Sequence, residues 1–467
     1  MVFSSFHFLF WFLPFCLIVY ALARKKERNL VLLFFSIVFY AYGAMQTPFH
    51  LYLILISVVV NWVLGVLMEQ KRPQKKLWLM IGLIWDFGCL FVFKYTDFFI
   101  KNLNHLPLVN LPLTNLVLPL GISFFTFQIA SYLIDVYRGT VRAEYSLIDL
   151  GTYILMFPQL IAGPIVRFSD VQKELHNRRV RQKEFVDGLY LFIIGLGRKV
   201  MLANMLSYLW NDLAAVGYES ISTPAAWMGI FAYSMQLYFD FSGYSQMAIG
   251  MGLMLGFHFP QNFNHPYLST SMTEFWRRWH MTLGGWFREY VYIPLGGNRG
   301  SKQRMYFNMF VVWTLTGFWH GADWNFILWG MLLFCLLAVE KAGLGKWLSA
   351  HKGIAHLYMI FWIPVSWALF AITDLKQVGI FIGRLFGIGG EVLMKNDYVN
   401  YFHSYGKFLI LGLLFCTAAP QNLYRMLRRS KHPYAPYVTA ALMLAILGGS
   451  CYCLYKGMNN PFMYFQF

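Results

Sequence analysis

His320 lies in MFVVWTLTGFWHGADWNFILWG, residues 309–330, between two apolar runs and beside Trp313, Phe318, Trp319 and Trp324. An ionisable side chain in such surroundings is by default a functional-site candidate; a structural histidine bonded to a nearby carbonyl is the other reading. Asp323, three residues on, either orients the ring or caps the following helix, and Asn325 joins it as a candidate substrate contact. A second histidine, His280, sits in TEFWRRWHMTL within the polar but aromatic stretch 257–304. Ser271 and Glu274 have the spacing of a capping box, which predicts a helix from Met272 to about Leu283, interrupted at Gly284 and Gly285. On that helix Glu274 would meet Arg277 and Arg278, and Trp276 would share a face with His280. The competing reading is an interfacial helix with tryptophan anchors and arginines on lipid phosphates. A third run, 236–257, places Asp240, Ser242, Tyr244, Ser245 and Gln246 in an apolar helix, either lining a cavity or holding helices together.

A neutral imidazole can take the proton of a hydroxyl near neutral pH. A buried histidine and a second on a cytoplasmic-side helix, with tryptophan and arginine around both, therefore suit attack of a hydroxyl on an activated acyl group. His320 would be the general base, and His280 would hydrogen-bond the activated acyl group or relay a proton. Trp279, Trp319 and Trp324 would exclude water, and Arg277, Arg278 and Arg288 would hold donor phosphates or else contact lipid headgroups. The sequence carries no GxSxG elbow, Walker loop or HExxH, and no GxGxxG after a strand, so hydrolase, ATPase, metalloprotease and hydride-transfer chemistry lack motif support. No metal is expected: the six cysteines lie in apolar runs without ligand spacing and read as small buried hydrophobes.

Composition identifies what must position these groups. The 467 residues are 58% hydrophobic and 13% charged, against about 25% charged in soluble domains, so the surplus must be hidden in a bilayer. Apolar runs long enough to cross it recur at 6–23, 29–45, 49–67, 77–99, 117–136, 186–209, 225–256, 306–322, 325–341, 354–373, 407–424 and 436–456. A net charge of +17 would suggest nucleic acid in a soluble chain. Here most Lys and Arg fall in the loops 24–28, 69–76, 138–147, 167–184, 257–304, 341–352 and 425–431. Basic loops mark the cytoplasmic side, which puts both termini outside and leaves no nucleic-acid role. One run breaks parity. The segment IDLGTYILMFPQLIAGPIV, 148–166, has basic loops on both flanks and contains Pro158, Gly163 and Pro164, so it is expected to re-enter rather than cross. No internal repeat or linker divides the chain, which reads as one membrane-embedded domain.

These segments resemble the membrane-bound O-acyltransferase (MBOAT) family, and within it the AlgI-like membrane subunits of polysaccharide O-acetylation. The resemblance rests on MVFSSFHFLFWFLP at the start, LPLGISFFTFQIASYLIDVYRG (118–139), FPQLIAGPIVRF (157–168), the run 236–257, TEFWRRWHMTL (273–283), YIPLGGNRG (292–300) and WHGADWNFILWG (319–330). It covers residues 1–330, with a catalytic core at about 118–330; residues 331–467 match only as membrane helices. The resemblance implies an all-α polytopic fold of about 11–12 transmembrane helices plus re-entrant and interfacial helices, with a thin core and a funnel on each side. It implies His320 as the principal catalytic histidine and His280 as the second. It further implies no permanently bound cofactor, an acetyl-CoA or carrier-protein thioester as donor, and a bacterial cytoplasmic membrane location. An extracytoplasmic SGNH-type acetyltransferase is the implied partner and a polysaccharide the acceptor. The closing NNPFMYFQF resembles relatives associated with many polysaccharides, which leaves the acceptor open. The rival classes are a transporter or flippase, a non-catalytic membrane scaffold, and D-alanyl transfer from a carrier protein.

Overall fold

The computed structural model describes residues 2–161 and 163–457, so the closing NNPFMYFQF lies outside the described residues. Every regular element among them is helical, and a helix stands at each of the twelve expected positions. Six are long and apolar enough to cross a membrane: Phe49–Gln70, Lys75–Lys94, Gln182–Val216, Trp324–Ala350, Lys352–Ala371 and Ala435–Tyr455. The pair Asp397–Cys416 and Ala419–Arg429, bent by 61°, makes a seventh if counted as one span. The other expected runs are helical as well but do not pass that test of length and hydropathy. His7–Leu22 and Arg28–Gly43 are short, and Ile122–Arg138 has 17 residues, against about 20 for ~30 Å of hydrocarbon. The expected span 407–424 is corrected: its apolar part ends at Cys416, and the rest is a separate helix begun at Ala419 with Pro420 in its first turn.

The chain forms two compact units. The first comprises Met1–Phe192, Ser245–Gln261 and Arg288–Tyr290. Its helices Phe49–Gln70, Lys75–Lys94 and Ile122–Arg138 approach closely because glycines face large side chains: a Cβ on Gly65 would fall 2.6 Å from the Tyr132 hydroxyl and one on Gly82 2.3 Å from Leu133. Buried Asn61 donates to Asp86 at 2.8 Å across the same packing, the kind of polar pair that joins helices where lipid supplies no hydrophobic contrast. The run 148–166 is broken, as its prolines and glycine implied. Leu147–Leu155 ends at Met156, one turn follows at Phe157–Leu160, and irregular chain leads to Phe168–His176. Neither piece is long enough to cross. The backbone freed by the break is satisfied by protein: the Phe157 N–H donates to Ser36 Oγ at 3.1 Å, the Val166 carbonyl accepts from the Tyr153 hydroxyl at 3.0 Å, and the Tyr153 carbonyl accepts from Gln159 Nε2.

The second unit comprises Ile193–Tyr244, Asn262–Phe287 and Val291–Phe467. Its centre is a hairpin of Lys302–His320 and Trp324–Val339. A Cβ on Gly317 would lie 2.3 Å from the Phe326 carbonyl oxygen, and one on Gly330 2.4 Å from that of Trp313, so two glycines let the backbones meet. Side chains at these points would force the helices apart and move His320, which ends the first of them. Gly317→Ala and Gly330→Ala are each expected to destabilise the protein by about 1–3 kcal/mol through overpacking, read as a lower unfolding midpoint in detergent. An unchanged midpoint in both would contradict the close approach.

Candidate active site

The helix carrying the first part of the motif TEFWRRWH starts where the capping pattern placed it. Ser271 Oγ accepts from the Glu274 N–H at 3.1 Å, and Glu274 pairs with Arg278 at 2.6 Å, the i,i+4 partner expected. It ends earlier than expected. Met272–Arg278 stops before Trp279, which is extended, and His280 adopts a left-handed φ of +44°. A new helix, Met281–Phe287, then runs straight through Gly284 and Gly285. Trp276 and His280 therefore do not share a helical face, and the glycines do not interrupt the helix. The break is imposed from 262–264: the Met281 N–H donates to the Asn262 carbonyl and the Asn264 N–H to the Arg278 carbonyl, both at 2.9 Å. A non-glycine residue in the left-handed region is strained, and such residues persist where surrounding contacts over-determine them.

Nor does this segment lie on a surface. Met272, Phe275, Trp279 and His280 are buried, and Trp276 packs on Trp313, Trp329 and Trp367 with ring centroids 5.0–6.2 Å apart. Trp313 is about 16 Å along its helix from Lys302 at 1.5 Å per residue, so the segment reaches well into the helical packing. Glu340 anchors its start. The carboxylate, 6% exposed, accepts from the Met272 N–H at 2.5 Å, the Thr273 N–H at 3.0 Å and the Thr273 hydroxyl at 2.7 Å, placing negative charge at a helix N-terminus where the dipole favours it.

The insertion brings the two histidines to one indole. Trp319 lies 6.2 Å from the His280 ring and 4.8 Å from that of His320, centroid to centroid. His320, 4% exposed, also meets Trp329 at 5.1 Å and Phe370 at 5.3 Å. His280, 2% exposed, meets Phe241 at 4.7 Å. Its Nδ1 is 3.0 Å from Asn262 Oδ1. That oxygen also accepts from the Thr282 N–H and hydroxyl at 3.3 and 2.9 Å, which identifies it as the acceptor end of the amide. Nδ1 is then the protonated nitrogen, and Nε2 carries the lone pair. His280 lies between helices, outside every spanning segment, and burial lowers its imidazole from the ordinary 6.5 to about 3, so the ring is neutral.

The other expected residues divide. Trp279 is buried against Trp367 at 5.0 Å. Asp323 is exposed and caps its helix, accepting from the Trp324 N–H at 2.9 Å, which is the capping alternative. Buried Asn325 donates to the Leu369 and Phe370 carbonyls at 3.0 and 3.4 Å and so fixes the ring that packs on His320. Trp324 is exposed, as are Arg277 and Arg288, while Arg278 is held by Glu274. Asp240 forms an ion pair with Lys199 at 2.5 Å, each side chain 2% exposed; Lys199 also donates to Asn204 at 3.0 Å. Lys199 stands in a π-helical turn, Arg198–Ala203, and a cation inside the apolar run 186–209 was the available signal for it. Asn262 and Glu340 carried no local signal, since both act on residues far away in sequence.

A model of the membrane-bound O-acyltransferase family matches residues 53–348. Among curated relatives, the probable alginate O-acetylase AlgI of Pseudomonas aeruginosa is 40% identical over 86% of this chain and 78% of its own length. The peptidoglycan O-acetyltransferase of Helicobacter pylori is 32% identical over 100% of this chain and 98% of its own. The teichoic acid D-alanyltransferase of Bacillus subtilis is 31% identical over 52% of this chain and 65% of its own.

The neutral His280 has a consequence for acid stability. Unfolded, it takes a proton near pH 6.5; folded, only near 3. The unfolded state therefore binds more protons between those values, so its contribution is complete above 6.5 and is lost as pH falls through that window. His280→Asn, which does not titrate and tolerates a left-handed φ, is expected to flatten the decline of the unfolding midpoint between pH 6.5 and 4. Equal slopes in the two proteins would contradict a neutral buried ring.

Proposed function

The chain belongs to the membrane-bound O-acyltransferase family, and from that premise we propose that it moves an acetyl group from a cytoplasmic thioester to a hydroxyl of an extracellular or cell-wall polysaccharide. It is a multi-pass membrane O-acyltransferase; the donor, the acceptor and the roles of single residues are the proposal. The observation that carries the mechanism is a pair of buried imidazoles against one indole.

In the proposed reaction the acceptor oxygen attacks the thioester carbonyl while a ring nitrogen of His320 takes its proton. The tetrahedral intermediate collapses, the C–S bond breaks, and the thiolate leaves as a thiol with the proton from His320. The base is neutral before and after, so charge develops only in the tetrahedral intermediate and the transition states flanking it, where an apolar, water-poor wall strengthens every aligned dipole. His280 presents a lone pair at Nε2, which favours the proton-relay role over donation to the thioester oxygen. Trp279 and Trp319 exclude water, the competing nucleophile. Arg277 is exposed and supplies positive charge for donor phosphates, whereas Arg278 is already engaged by Glu274.

The relatives' names span alginate, peptidoglycan and teichoic acid, so a polysaccharide hydroxyl, reached directly or through an extracytoplasmic SGNH-type partner, fits all three better than one polymer. The location proposed is a bacterial cytoplasmic membrane with the N-terminus outside. The Bacillus relative supports a second reading, D-alanyl transfer from a carrier protein.

Purified protein in nanodiscs given labelled acetyl-CoA is expected to release thiol, and His320→Ala to lower that release about 10²–10⁴-fold with unchanged yield and unfolding midpoint. Release that persists in His320→Ala would remove the base assignment. Release restored only by a carrier-bound thioester would move the donor to the second reading.

A further inference from the structure

Within the first unit, a pocket of about 460 Å³ is lined by Glu174, Asn177, Arg178, Arg179, Arg181, Glu184, Gly256 and His258. That volume is in the range that takes small-molecule ligands. Among the lining residues Arg178 is buried, only 8% exposed. The guanidinium Nε donates to the Tyr20 hydroxyl at 2.6 Å, and one terminal nitrogen donates to Asn29 Oδ1 at 2.6 Å and to the Glu174 and Leu175 carbonyls at 3.3 Å. The cation also lies over the Phe257 ring, 4.5 Å from its centroid. All these partners are neutral. The other terminal nitrogen, NH2, has no hydrogen-bond partner among the described residues. A buried cation without a counter-ion is strongly unfavourable, and a guanidinium with an unused donor is shaped for an oxyanion.

The two carboxylates in the pocket are already matched. Glu174 accepts from His258 at the backbone N–H, 3.0 Å, and at Nδ1, 2.6 Å, and Glu184 is 3.8 Å from both Arg181 and His258 Nε2. Three arginines against two carboxylates leave the lining with an excess of positive charge. Gly256, with φ +85°, brings 256–258 against this lining: a Cβ there would lie 3.3 Å from Val180 and 3.5 Å from Arg178 Cδ. We infer that this pocket binds a phosphate or pyrophosphate group, with Arg178 as its buried anchor and Arg179 and Arg181 at its rim. The group belongs either to a water-soluble ligand or to an anionic phospholipid headgroup. Both loops that build the pocket, 167–184 and 257–304, are basic stretches that the charge pattern assigns to the cytoplasmic side.

The test uses the full chain in nanodiscs of phosphatidylcholine alone, with inorganic pyrophosphate as probe and calorimetric binding as readout. Saturable binding is expected, weakened at least tenfold in Arg178→Lys, which keeps the charge but loses the fork, and at least threefold in the double variant Arg179→Gln with Arg181→Gln. The rim variant is exposed and keeps the inference falsifiable should Arg178→Lys not fold. Unchanged affinity in His320→Ala is also expected, so failure here is separable from failure of the acyl-transfer reading. Discs containing phosphatidylglycerol decide the source: competition with pyrophosphate identifies a lipid headgroup, and its absence a soluble phosphate, either outcome supporting the site. No saturable binding to the wild type, or equal binding by the rim variant, would overturn it.

Discussion

A chain that breaks its helix among apolar helices must find protein partners for every backbone group it frees, because hydrocarbon offers none. That requirement governs the second unit. The break at Trp279 and His280 is tolerated because Asn262 and Asn264 pair with the backbone around it, and because the Asn262 side chain takes up the His280 ring and Thr282. The same contacts that satisfy the backbone hold the imidazole at its angle and select its tautomer. The break at Met156 in the first unit obeys the same rule with Ser36, Tyr153 and Gln159 as partners.

One helix gives the second unit its coherence. Trp324–Val339 follows His320 at one end, through the turn capped by Asp323, and at its other end runs into Glu340, whose carboxylate caps the helix leading to His280. Along its length it contributes Trp329, which touches the His320 ring and Trp276. The distance between the histidines is therefore governed by a rigid rod and two terminal contacts rather than by a loop. Close packing at Gly317 and Gly330 fixes the partner helix against that rod.

Much of this was legible in order of locality. The all-helical membrane class followed from composition, the broken 148–166 segment from Pro158, Gly163 and Pro164 against the charge pattern, and the start of the 272–278 helix from Ser271 and Glu274. His320 stood out because an apolar run made an ionisable residue conspicuous. What was misjudged depends on residues far apart. Gly284 and Gly285 looked like the natural break, yet flexibility only permits a break, whereas pairing with 262–264 compels one five residues earlier. Lys199 was passed over inside an apolar run, and Asp240 was left open between a cavity and a helix-packing role because a single charge in a helix gives no hint of an opposite charge on another. Apolar runs report burial in protein and in lipid alike, so a helix stands at every expected run although only six are long and apolar enough to cross a membrane by themselves.

The choice of imidazoles follows from the same dry setting. A carboxylate at the position of His320 would need a counter-ion, as Asp240 needs Lys199, and a paired carboxylate is a poor base. A neutral ring needs none; in the proposed reaction it would accept a proton when the acceptor oxygen arrives and bear charge only as long as the tetrahedral intermediate does. Aromatic walls are compatible with that brief charge, since their faces are electronegative and compete for no proton. In the proposed reaction two histidines on either side of Trp319 would combine proton transfer with exclusion of water, at a place where an acidic residue could do only one of the two.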